Sequence, residues 1–403
     1  MNGPLQGTLV LDLSRVLAGP WASQALADLG ARVIKVERPG RGDDTRSWGP
    51  PYLGSGENRE SAYFLSANRG KESIAIDFKD PRGQDVILQL AGKADILIEN
   101  YKPGGLRAYG LDYASVSKVN PAIVYCSISG FGQTGPYAKK PGYDFMIQAM
   151  SGLMSVTGTE KPTKVGVAVS DLITGLYAAT GILAACIRAR ETGQGEWVDV
   201  SLLDAQLATL ANQAMNFLVA GESPALAGNA HPNIVPYQVF DTADDPIVVA
   251  VGNDGQFVSL CGAIGLDELA SDYRFVSNSA RVQNRAMLVP LIAGSLEQHP
   301  AAHWLKVFDD RGIPVAPVNT IAEAFADPHV LDRRTVTQLQ RADLGSVPSV
   351  RSPIRFQNST TAPGRAPPAL GDSTEAVLRE IGLGETEIKT LLEAGVAAKP
   401  HGL

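Results

Sequence analysis

Short apolar strands and helices alternate through the first 200 residues of this 403-residue chain. The opening shows the pattern, because a strand at 10–13, a helix at 18–29 and a second strand at 31–37 form a β-α-β unit. Strands joined through helices run parallel, and a parallel sheet needs cover on both faces. The alternation therefore predicts an α/β fold whose large domain has a mostly parallel sheet flanked by helices.

The pattern also predicts how the chain is divided. A large domain is expected over 1–220, followed at 221–236 by a linker in which Gly, Ser, Pro, Ala and Asn dominate. A smaller α+β domain is expected over 237–325. The C-terminal segment, 330–403, is too short to form much of a core by itself, so we expect it to return to the large domain.

The large domain is Rossmann-like in pattern but lacks the dinucleotide-binding motif. Its second strand ends at Glu37, an acid that could hold the ribose of a nicotinamide cofactor. The preceding turn at 15–20 has no G-x-G-x-x-G, and Pro20 lacks an N–H group that a phosphate would need. The next residue, Arg38, suggests instead a phosphate of an adenosine nucleotide, with a surface cation at a strand end as the alternative.

Composition narrows the classes of function. A net charge of −7 and a sequence pI near 5.4 argue against nucleic-acid binding, because nucleic-acid binders usually carry a basic surplus. The five histidines show no metal-ligand spacing, and the three cysteines lie far apart in apolar contexts, as buried free thiols do. The N-terminus lacks the cationic start and apolar core of a signal peptide. These features predict a cytoplasmic protein with no nucleic-acid, metal or membrane partner.

One carboxylate stands at the start of the most apolar segment. The apolar run 165–169, which we interpret as a strand, leads into Asp171, and sixteen uncharged residues follow before Arg188. Small side chains recur there, as in closely packed helices, and the segment is shorter than the ~20 residues needed to cross a bilayer. We therefore predict a core helix with Asp171 in its first turn, where free N–H groups favour a negative charge. On spacing alone, an ordinary N-cap is the simpler interpretation of Asp171.

Eleven short motifs, spread over nearly the whole chain, resemble those of one protein family. They are AGP at 18–20, GARVIKVE at 30–37, GDDTR at 42–46, ANRGK at 67–71, ENYKPG at 99–104, SGFG at 129–132, GYD at 142–144, DLITG at 171–175, IVPYQ at 234–238, RVQNR at 281–285 and GIP at 312–314. Together they make the sequence similar to the class III CoA-transferases, which include formyl-CoA transferase and carnitine-CoA transferase. Within that family the likeness is greatest to the succinyl-CoA:glutarate type, and it is this likeness that extends through IVPYQ and RVQNR.

The resemblance implies a reaction and an assembly. The family's nucleophile is the aspartate of a D-x-x-[TS]-G motif, which is Asp171 here. The implied reaction moves CoA from an acyl-CoA donor, with succinyl-CoA expected, to a free dicarboxylate such as glutarate. It proceeds through an aspartyl anhydride and an aspartyl-CoA thioester. CoA esters are then substrates, and no permanently bound cofactor is expected. The resemblance also implies an interlocked homodimer.

The same resemblance implies roles for further residues. The implied CoA contacts are Val16, Arg38, Asn100, Tyr101 and Lys140. Further candidates for the CoA phosphates are Arg69 and Lys71, for which a solvated surface position is the alternative. Candidates for contacts with the substrate acid are Arg46, Tyr143 and Gln256. A dicarboxylate needs a cation at its far end, and Arg46 is that candidate unless it pairs with Asp43 or Asp44.

Two departures from the family pattern and two other functions bear on this expectation. Arg107 follows Leu106 directly, one place earlier than is usual in the family, and the stretch 252–256 replaces the glycine run of formyl-CoA transferase. The second departure argues against formyl-CoA as the substrate.

An α-methylacyl-CoA racemase of the same fold is one alternative function, but it uses a histidine where Tyr143 stands, and tyrosine is a poor base at neutral pH. A non-catalytic CoA-ester binding protein is the other, and it would not need Asp171.

Overall fold

The structure, a computed structural model, describes residues 3–361 and 364–400. Within these residues the chain forms fourteen strands. Strands β1 to β14 are, in chain order, Leu9–Asp12, Arg32–Glu37, Tyr52–Leu53, Glu60–Ser61, Lys71–Ile76, Ile96–Glu99, Val124–Ser129, Glu196–Ser201, Tyr237–Phe240, Ile247–Ala250, Val315–Pro317, Val336–Arg341, Gly345–Val350 and Ala397–Ala398.

The same described residues contain seventeen α-helices and four short 3-10 helices. Helices α1 to α17 are, in chain order, Ala18–Asp28, Ala62–Ala67, Pro81–Ala91, Tyr113–Val119, Asp144–Met150, Leu153–Val156, Val169–Thr192, Leu202–Thr209, Ala211–Ala220, Asp254–Ala263, Asn278–Gln283, Arg285–Leu296, Ala301–Asp310, Ile321–Ala326, Pro328–Asp332, Thr374–Glu380 and Glu385–Glu393. The 3-10 helices are Asp44–Ser47, Gly56–Asn58, Arg107–Tyr109 and Asp267–Ala270.

The chain divides into two compact units, each assembled from separate segments. The first unit consists of Met1–Gly152, Val165–Ala214 and Arg334–Leu403, and the second of Leu153–Lys164 and Met215–Arg333. The residues expected to form a linker, 221–236, therefore belong to the second unit. The C-terminal segment belongs to the first, where β14 pairs with β5.

The first unit is built on a seven-stranded sheet with the order β14-β5-β2-β1-β6-β7-β8. All described strands of this sheet are parallel except the two-residue β14, which runs antiparallel to β5. The prediction of a mostly parallel sheet flanked by helices is confirmed. The chain winds outward in both directions from β1, whose neighbours are β2 and β6. At such a reversal the carboxyl ends of the strands leave a crevice, where α/β proteins bind their ligands.

Both faces of this sheet are buried against helices. Neighbouring residues of β1 point to opposite faces, as the two-residue period of a strand requires. Leu11 belongs to a core that includes residues of α3, α16 and α17, whereas Val10 belongs to a core formed with α1 and α7. The continuous apolar runs of the inner strands are therefore explained by burial on both sides.

Helix α7 carries Asp171 in its first turn, as predicted. It has 24 residues, one face of which is buried, while Leu176 and Tyr177 are 52% and 47% exposed. Among the described helices it alone is long and apolar enough, by length and composition, to cross a membrane. The prediction of a strand at 165–169 is wrong. That segment has no partner strand in the described structure, and the Val165 N–H donates instead to the Gln148 side chain at 2.8 Å.

The second unit has α+β architecture, with a three-stranded antiparallel sheet in the order β11-β10-β9. Its core contains a fully buried arginine, Arg281, which lies over the Phe257 ring at 4.5 Å. The Arg281 guanidinium donates hydrogen bonds to the carbonyl oxygens of Val235 and Phe275 and to the Asp254 carboxylate. The RVQNR motif at 281–285 is therefore a structural element of this unit.

Candidate active site

A cavity of about 740 Å³ opens at the carboxyl ends of the central strands of the first unit. The residues that follow β1, β2, β5 and β6 contribute to its wall, among them Val16, Arg38, Lys79 and Asn100. Asp171 reaches the same wall from the start of α7. We refer to this space as the strand-end cavity. Its position matches the crevice that the strand order creates.

Seven of the site residues expected from the sequence line the strand-end cavity. They are Val16, Arg38, Asn100, Tyr101, Lys140, Tyr143 and Asp171. Gln256 instead belongs to the second unit, at the start of α10, where its side-chain oxygen accepts a hydrogen bond from the Gly252 N–H at 2.8 Å. Its contact with the substrate acid stays a prediction.

Arg46 is not available to a substrate. Its guanidinium forms ion pairs with Glu37 and Glu60, both at 2.7 Å, and lies 3.6 Å above the Phe64 ring. The side chain is 10% exposed and is not part of the cavity wall. We therefore correct the prediction that Arg46 binds the dicarboxylate. Arg46 does form ion pairs, as the alternative interpretation held, but its partners are Glu37 and Glu60 and not Asp43 or Asp44.

Arg69 and Lys71 are also engaged inside the protein. Arg69 pairs with Asp28 through two hydrogen bonds, and its side chain is 7% exposed. Lys71 is fully buried, and its ammonium contacts the Asp12 carboxylate at 3.2 Å and the Asn68 side chain at 2.9 Å. Neither residue lines the strand-end cavity. We therefore correct the prediction that they bind the CoA phosphates, and the solvated-surface alternative fails as well.

Asp171 is a partly buried carboxylate on the wall of the strand-end cavity. Ala168 is the N-cap residue of α7, so the interpretation of Asp171 as an ordinary N-cap is wrong. Within the described part of the chain, no cation pairs with the Asp171 carboxylate and no group donates a hydrogen bond to it. Burial, and then the negative charge of Asp144, raise the pKa of Asp171 to about 7. An uncompensated carboxylate in a cavity is a candidate for a chemical role.

Asp144 fixes the start of the helix that presents Asp171. One Asp144 oxygen accepts the Ser170 N–H at 2.8 Å, and the other accepts a hydrogen bond from Gln148 Nε2 at 2.8 Å. In the motif at 142–144, only the tyrosine was expected to be a site residue. Tyr143 is 62% exposed at the cavity wall. The position of Asp144, directly after the predicted site residue Tyr143, could have indicated a role for this acid.

The rim of the strand-end cavity is cationic. Its exposed cations are Arg38, Arg41, Lys79, Lys102 and Lys140. This concentration of positive charge lies on a chain whose net charge is −7. Such a rim attracts an anionic ligand and raises its local concentration.

Aromatic rings lie next to these cations. Phe78 packs edge-on against Tyr101 and Tyr109, with ring centres 5.8 and 5.4 Å apart, and all three line the cavity. Phe78 and Lys79 were not among the site residues predicted from the sequence. Their signal was positional, because they lie two and three residues after the end of β5 and so at the same sheet edge as Arg38.

Comparison with known proteins assigns the family. The sequence model described as "CoA-transferase family III" matches residues 5–374. The chain belongs to CoA-transferase family III. It is therefore an enzyme of the CoA-transferase class, and the resemblance found in its motifs is confirmed.

Individual relatives cover almost the whole chain. The chain is 47% identical over 382 residues to a succinate–glutarate CoA-transferase of Agrobacterium fabrum, which covers 94% of this chain and 96% of that protein. It is 43% identical over 396 residues to the human succinyl-CoA:glutarate CoA-transferase, which covers 98% and 90%. A crystal structure of a CAIB/BAIF family protein from Brucella suis is 46% identical, with a TM-score of 0.84, and covers 94% of this chain and 100% of that one.

Proposed function

We propose that this family III CoA-transferase moves CoA from succinyl-CoA to glutarate, with Asp171 as the nucleophile. The observation that carries the proposal is an uncompensated carboxylate on the wall of a cavity with a cationic rim. The relatives named for succinate and glutarate support this pair of acids. A further relative, 45% identical over 335 residues, is named acetyl-CoA:oxalate CoA-transferase, so the acceptor acid needs direct measurement.

The reaction consists of four acyl transfers. The Asp171 carboxylate attacks the succinyl thioester, which gives a succinyl–aspartyl anhydride and releases CoA thiolate. The thiolate attacks the aspartyl carbonyl, which releases succinate and leaves an aspartyl-CoA thioester. Glutarate attacks this thioester through one carboxylate, giving a glutaryl–aspartyl anhydride and thiolate again. The thiolate then attacks the glutaryl carbonyl, so that glutaryl-CoA leaves and the Asp171 carboxylate is restored.

The environment of Asp171 suits this chemistry. Only the ionised carboxylate is nucleophilic, and a pKa of about 7 leaves a substantial ionised fraction at neutral pH. A salt bridge would lower the pKa and hold the oxygen atoms away from the substrate. The absence of a cation beside Asp171, among the described residues, therefore favours a reactive carboxylate over a structural one.

The cavity rim suits the nucleotide part of CoA. Arg38 and Lys79 are exposed cations with no carboxylate within ion-pair distance in the described structure, so they can bind phosphate groups. The rings of Phe78, Tyr101 and Tyr109 provide apolar surface for a base. We propose that these two groups of side chains hold opposite ends of the nucleotide.

We also propose that the working unit is a cytoplasmic homodimer. Helices α5 and α7 expose apolar side chains, including Phe145 at 56% and Leu176 at 52%, and a second copy would cover this surface. The chain also leaves the first unit after Ala214 and returns to it at Arg334, and an interlocked dimer requires such an excursion. Sedimentation equilibrium across a wide dilution range tests the assembly. Full activity at the chain mass of 42.6 kDa would exclude the dimer.

A transferase assay tests the reaction. The protein is incubated with succinyl-CoA and glutarate, and the CoA esters are separated by liquid chromatography. Glutaryl-CoA should form at the rate at which succinyl-CoA is consumed, and butyrate in place of glutarate should be a much poorer acceptor. No new thioester with any dicarboxylate, combined with exchange of the α-proton of a 2-methylacyl-CoA in deuterium oxide, would favour the racemase instead.

A further inference from the structure

The turn that joins β1 to α1 contains a strained residue. Val16 has φ +71°, in the left-handed region, which is a true outlier for a β-branched side chain. Val16 lines the strand-end cavity. A strained backbone of this kind persists only where the surrounding structure holds it, and such strain clusters at functional sites.

Two buried side chains hold this turn. Both oxygens of the Asp43 carboxylate lie 3.2 Å from the Val16 nitrogen and accept its N–H. The Lys35 ammonium lies 2.9 Å from Asp43 and donates to the Ser14 carbonyl at 2.8 Å. The side chains of Lys35 and Asp43 are 0% and 1% exposed. The pair therefore restrains the residues on either side of Arg15.

Asn100 completes the restraint. Its side chain accepts the Arg15 N–H at 2.9 Å and donates to the Arg15 carbonyl at 2.6 Å. The three residues Ser14, Arg15 and Val16 are thus each held by a different side chain. These side chains come from the ends of β2 and β6 and from the loop after β2.

Among the described residues, the restrained turn is followed by unpaired N–H groups at the start of α1. Leu17 is the N-cap residue and makes no side-chain capping bond. In the described structure, the N–H groups of Leu17 and Ala18 have no hydrogen-bond acceptor. Both residues line the strand-end cavity. They are free donors at a helix N-terminus, where the helix dipole adds to the attraction for negative charge.

These donors line the same cavity as the candidate nucleophile, on a helix that packs against α7. Gly175 is four residues after Asp171 in α7, or ~6 Å along the helix axis. A Cβ atom on Gly175 would lie only 2.7 Å from the Ala18 carbonyl oxygen, so α1 and α7 touch at this point. The glycine of the D-x-x-[TS]-G motif thereby allows the start of α1 to pack against α7 one helical turn after Asp171.

We propose that Asp43 and Lys35 are positioning residues for acyl transfer. They hold Val16 in its left-handed conformation, so that the N–H groups of Leu17 and Ala18 face the thioester oxygen when Asp171 attacks. The negative charge that develops on this oxygen is then stabilised by donors fixed in advance. This inference rests on the proposed transferase reaction and adds to it the group that stabilises its tetrahedral intermediates.

The test is the rescue of one variant by a second substitution. Asp43→Ala should lower kcat by roughly 100-fold to 1000-fold, the range that follows loss of an oxyanion donor, and change the KM for succinyl-CoA less than about threefold. Glycine adopts positive φ without restraint. Val16→Gly in the Asp43→Ala background should therefore recover roughly tenfold or more of the lost kcat. Asp43→Asn keeps an acceptor oxygen and should retain more activity than Asp43→Ala.

Asp28→Ala is the matched control. It removes another buried, ion-paired aspartate, the partner of Arg69, which lies outside the strand-end cavity. Its Tm should fall, whereas kcat per folded protein should stay unchanged. If Asp43→Ala does not fold, Asp43→Asn with and without Val16→Gly gives the same comparison.

The outcomes separate this inference from the proposed function. The positioning role would be overturned if Val16→Gly did not recover the lost kcat, or if Asp43→Ala changed only KM. The proposed transferase reaction would still stand in either case, provided that the parent protein makes glutaryl-CoA. Failure of the parent protein to make any new thioester would instead overturn the proposed function. Recovery in the double variant supports both.

Discussion

Asp43 and Asp171 line the same cavity, and their surroundings drive their ionisation in opposite directions. Burial opposes the charge of Asp43, but the Lys35 ammonium and the hydrogen bonds from Thr45 outweigh it and lower the pKa of Asp43 to about 2. Burial also opposes the charge of Asp171, and Asp144 adds to the opposition, so the pKa rises to about 7. The difference between them is the presence of a cation, and it separates a carboxylate that holds the fold from one available for reaction.

Two other buried carboxylates near the cavity, Asp12 and Glu37, follow the pattern of Asp43. Asp12 pairs with Lys71 and Glu37 pairs with Arg46. Burial alone would raise the pKa of both carboxyl groups, but the neighbouring cations have the larger effect, so both pKa values are lowered. The cations that the motifs contribute are thus used to fix acids in place. On the wall of the strand-end cavity, Asp171 has no cation partner among the described residues, which is a sharper indication of function than its motif alone.

The largest expected effect is on turnover by Asp171→Asn. The substitution keeps the shape of the side chain but removes the nucleophilic charge, so the transferase rate should fall at least a thousandfold, or about 4 kcal/mol of barrier. Asp204→Asn is the matched control, because Asp204 is an exposed aspartate in the first turn of α8. It should keep parental turnover. A rate for Asp171→Asn within tenfold of the parent would show that Asp171 is not the nucleophile.

The next effect is on stability, through Asp43. Asp43→Asn leaves the Lys35 charge buried without its partner, which should lower the free energy of unfolding at pH 7 by roughly 3–5 kcal/mol. The folded-state pKa of about 2 lies below the ordinary value of 3.8, so the stabilisation is complete above pH 4 and is lost as pH falls towards 2. Urea unfolding of both proteins at pH 7 and at pH 3 measures this. An equal difference at both pH values would argue that the ion pair is not responsible.

For Asp171, ionisation is expected to lower the free energy of unfolding, which is the opposite of its effect at Asp43. Its folded-state pKa of about 7 lies above the ordinary value of 3.8, so ionisation of Asp171 weakens the fold progressively between about pH 4 and pH 7, and fully above that range. Asp171→Asn should therefore be more stable than the parent at pH 8, by on the order of 1–3 kcal/mol because the group is partly exposed. The two proteins should have equal stability near pH 4. A destabilised variant at pH 8 would mean that an unrecognised partner stabilises the Asp171 charge.

The smallest expected effect is a shift of the pH profile by Asp144→Asn. The substitution removes the negative charge that raises the pKa of Asp171 after burial, so half-maximal kcat/KM should move below the parental pH of about 7. Asn keeps an oxygen that can accept the Ser170 N–H. The profile is measured with succinyl-CoA between pH 5 and 9. An unchanged midpoint with a lower plateau would mean that Asp144 only anchors α7.

Much of the fold was predictable because its determinants are local. Alternating apolar segments indicated the parallel sheet, and the uncharged run after Asp171 indicated its helix. The segment 165–169 was misjudged because a strand requires a neighbour, and apolar composition does not reveal whether one is present.

The pairing of cations was not predictable, because it depends on residues distant in the sequence. Arg69 pairs with Asp28, 41 positions earlier, and Arg46 reaches both Glu37 and Glu60. A motif shows that a cation is present but does not show whether a buried acid already occupies it. The same reason explains why Asp43 was considered only as a partner of Arg46, when it in fact holds Val16.

The measurement that tests the account most directly is chemical trapping on Asp171. The protein is mixed with succinyl-CoA and hydroxylamine, which converts an aspartyl anhydride or thioester to a hydroxamate, and is then digested and sequenced by mass spectrometry. The account predicts a hydroxamate on Asp171 that requires succinyl-CoA and forms faster at pH 8 than at pH 6, with Asp43 unmodified in the same sample. Transfer of CoA to glutarate without any modification of Asp171, or a hydroxamate on another carboxylate, would contradict it.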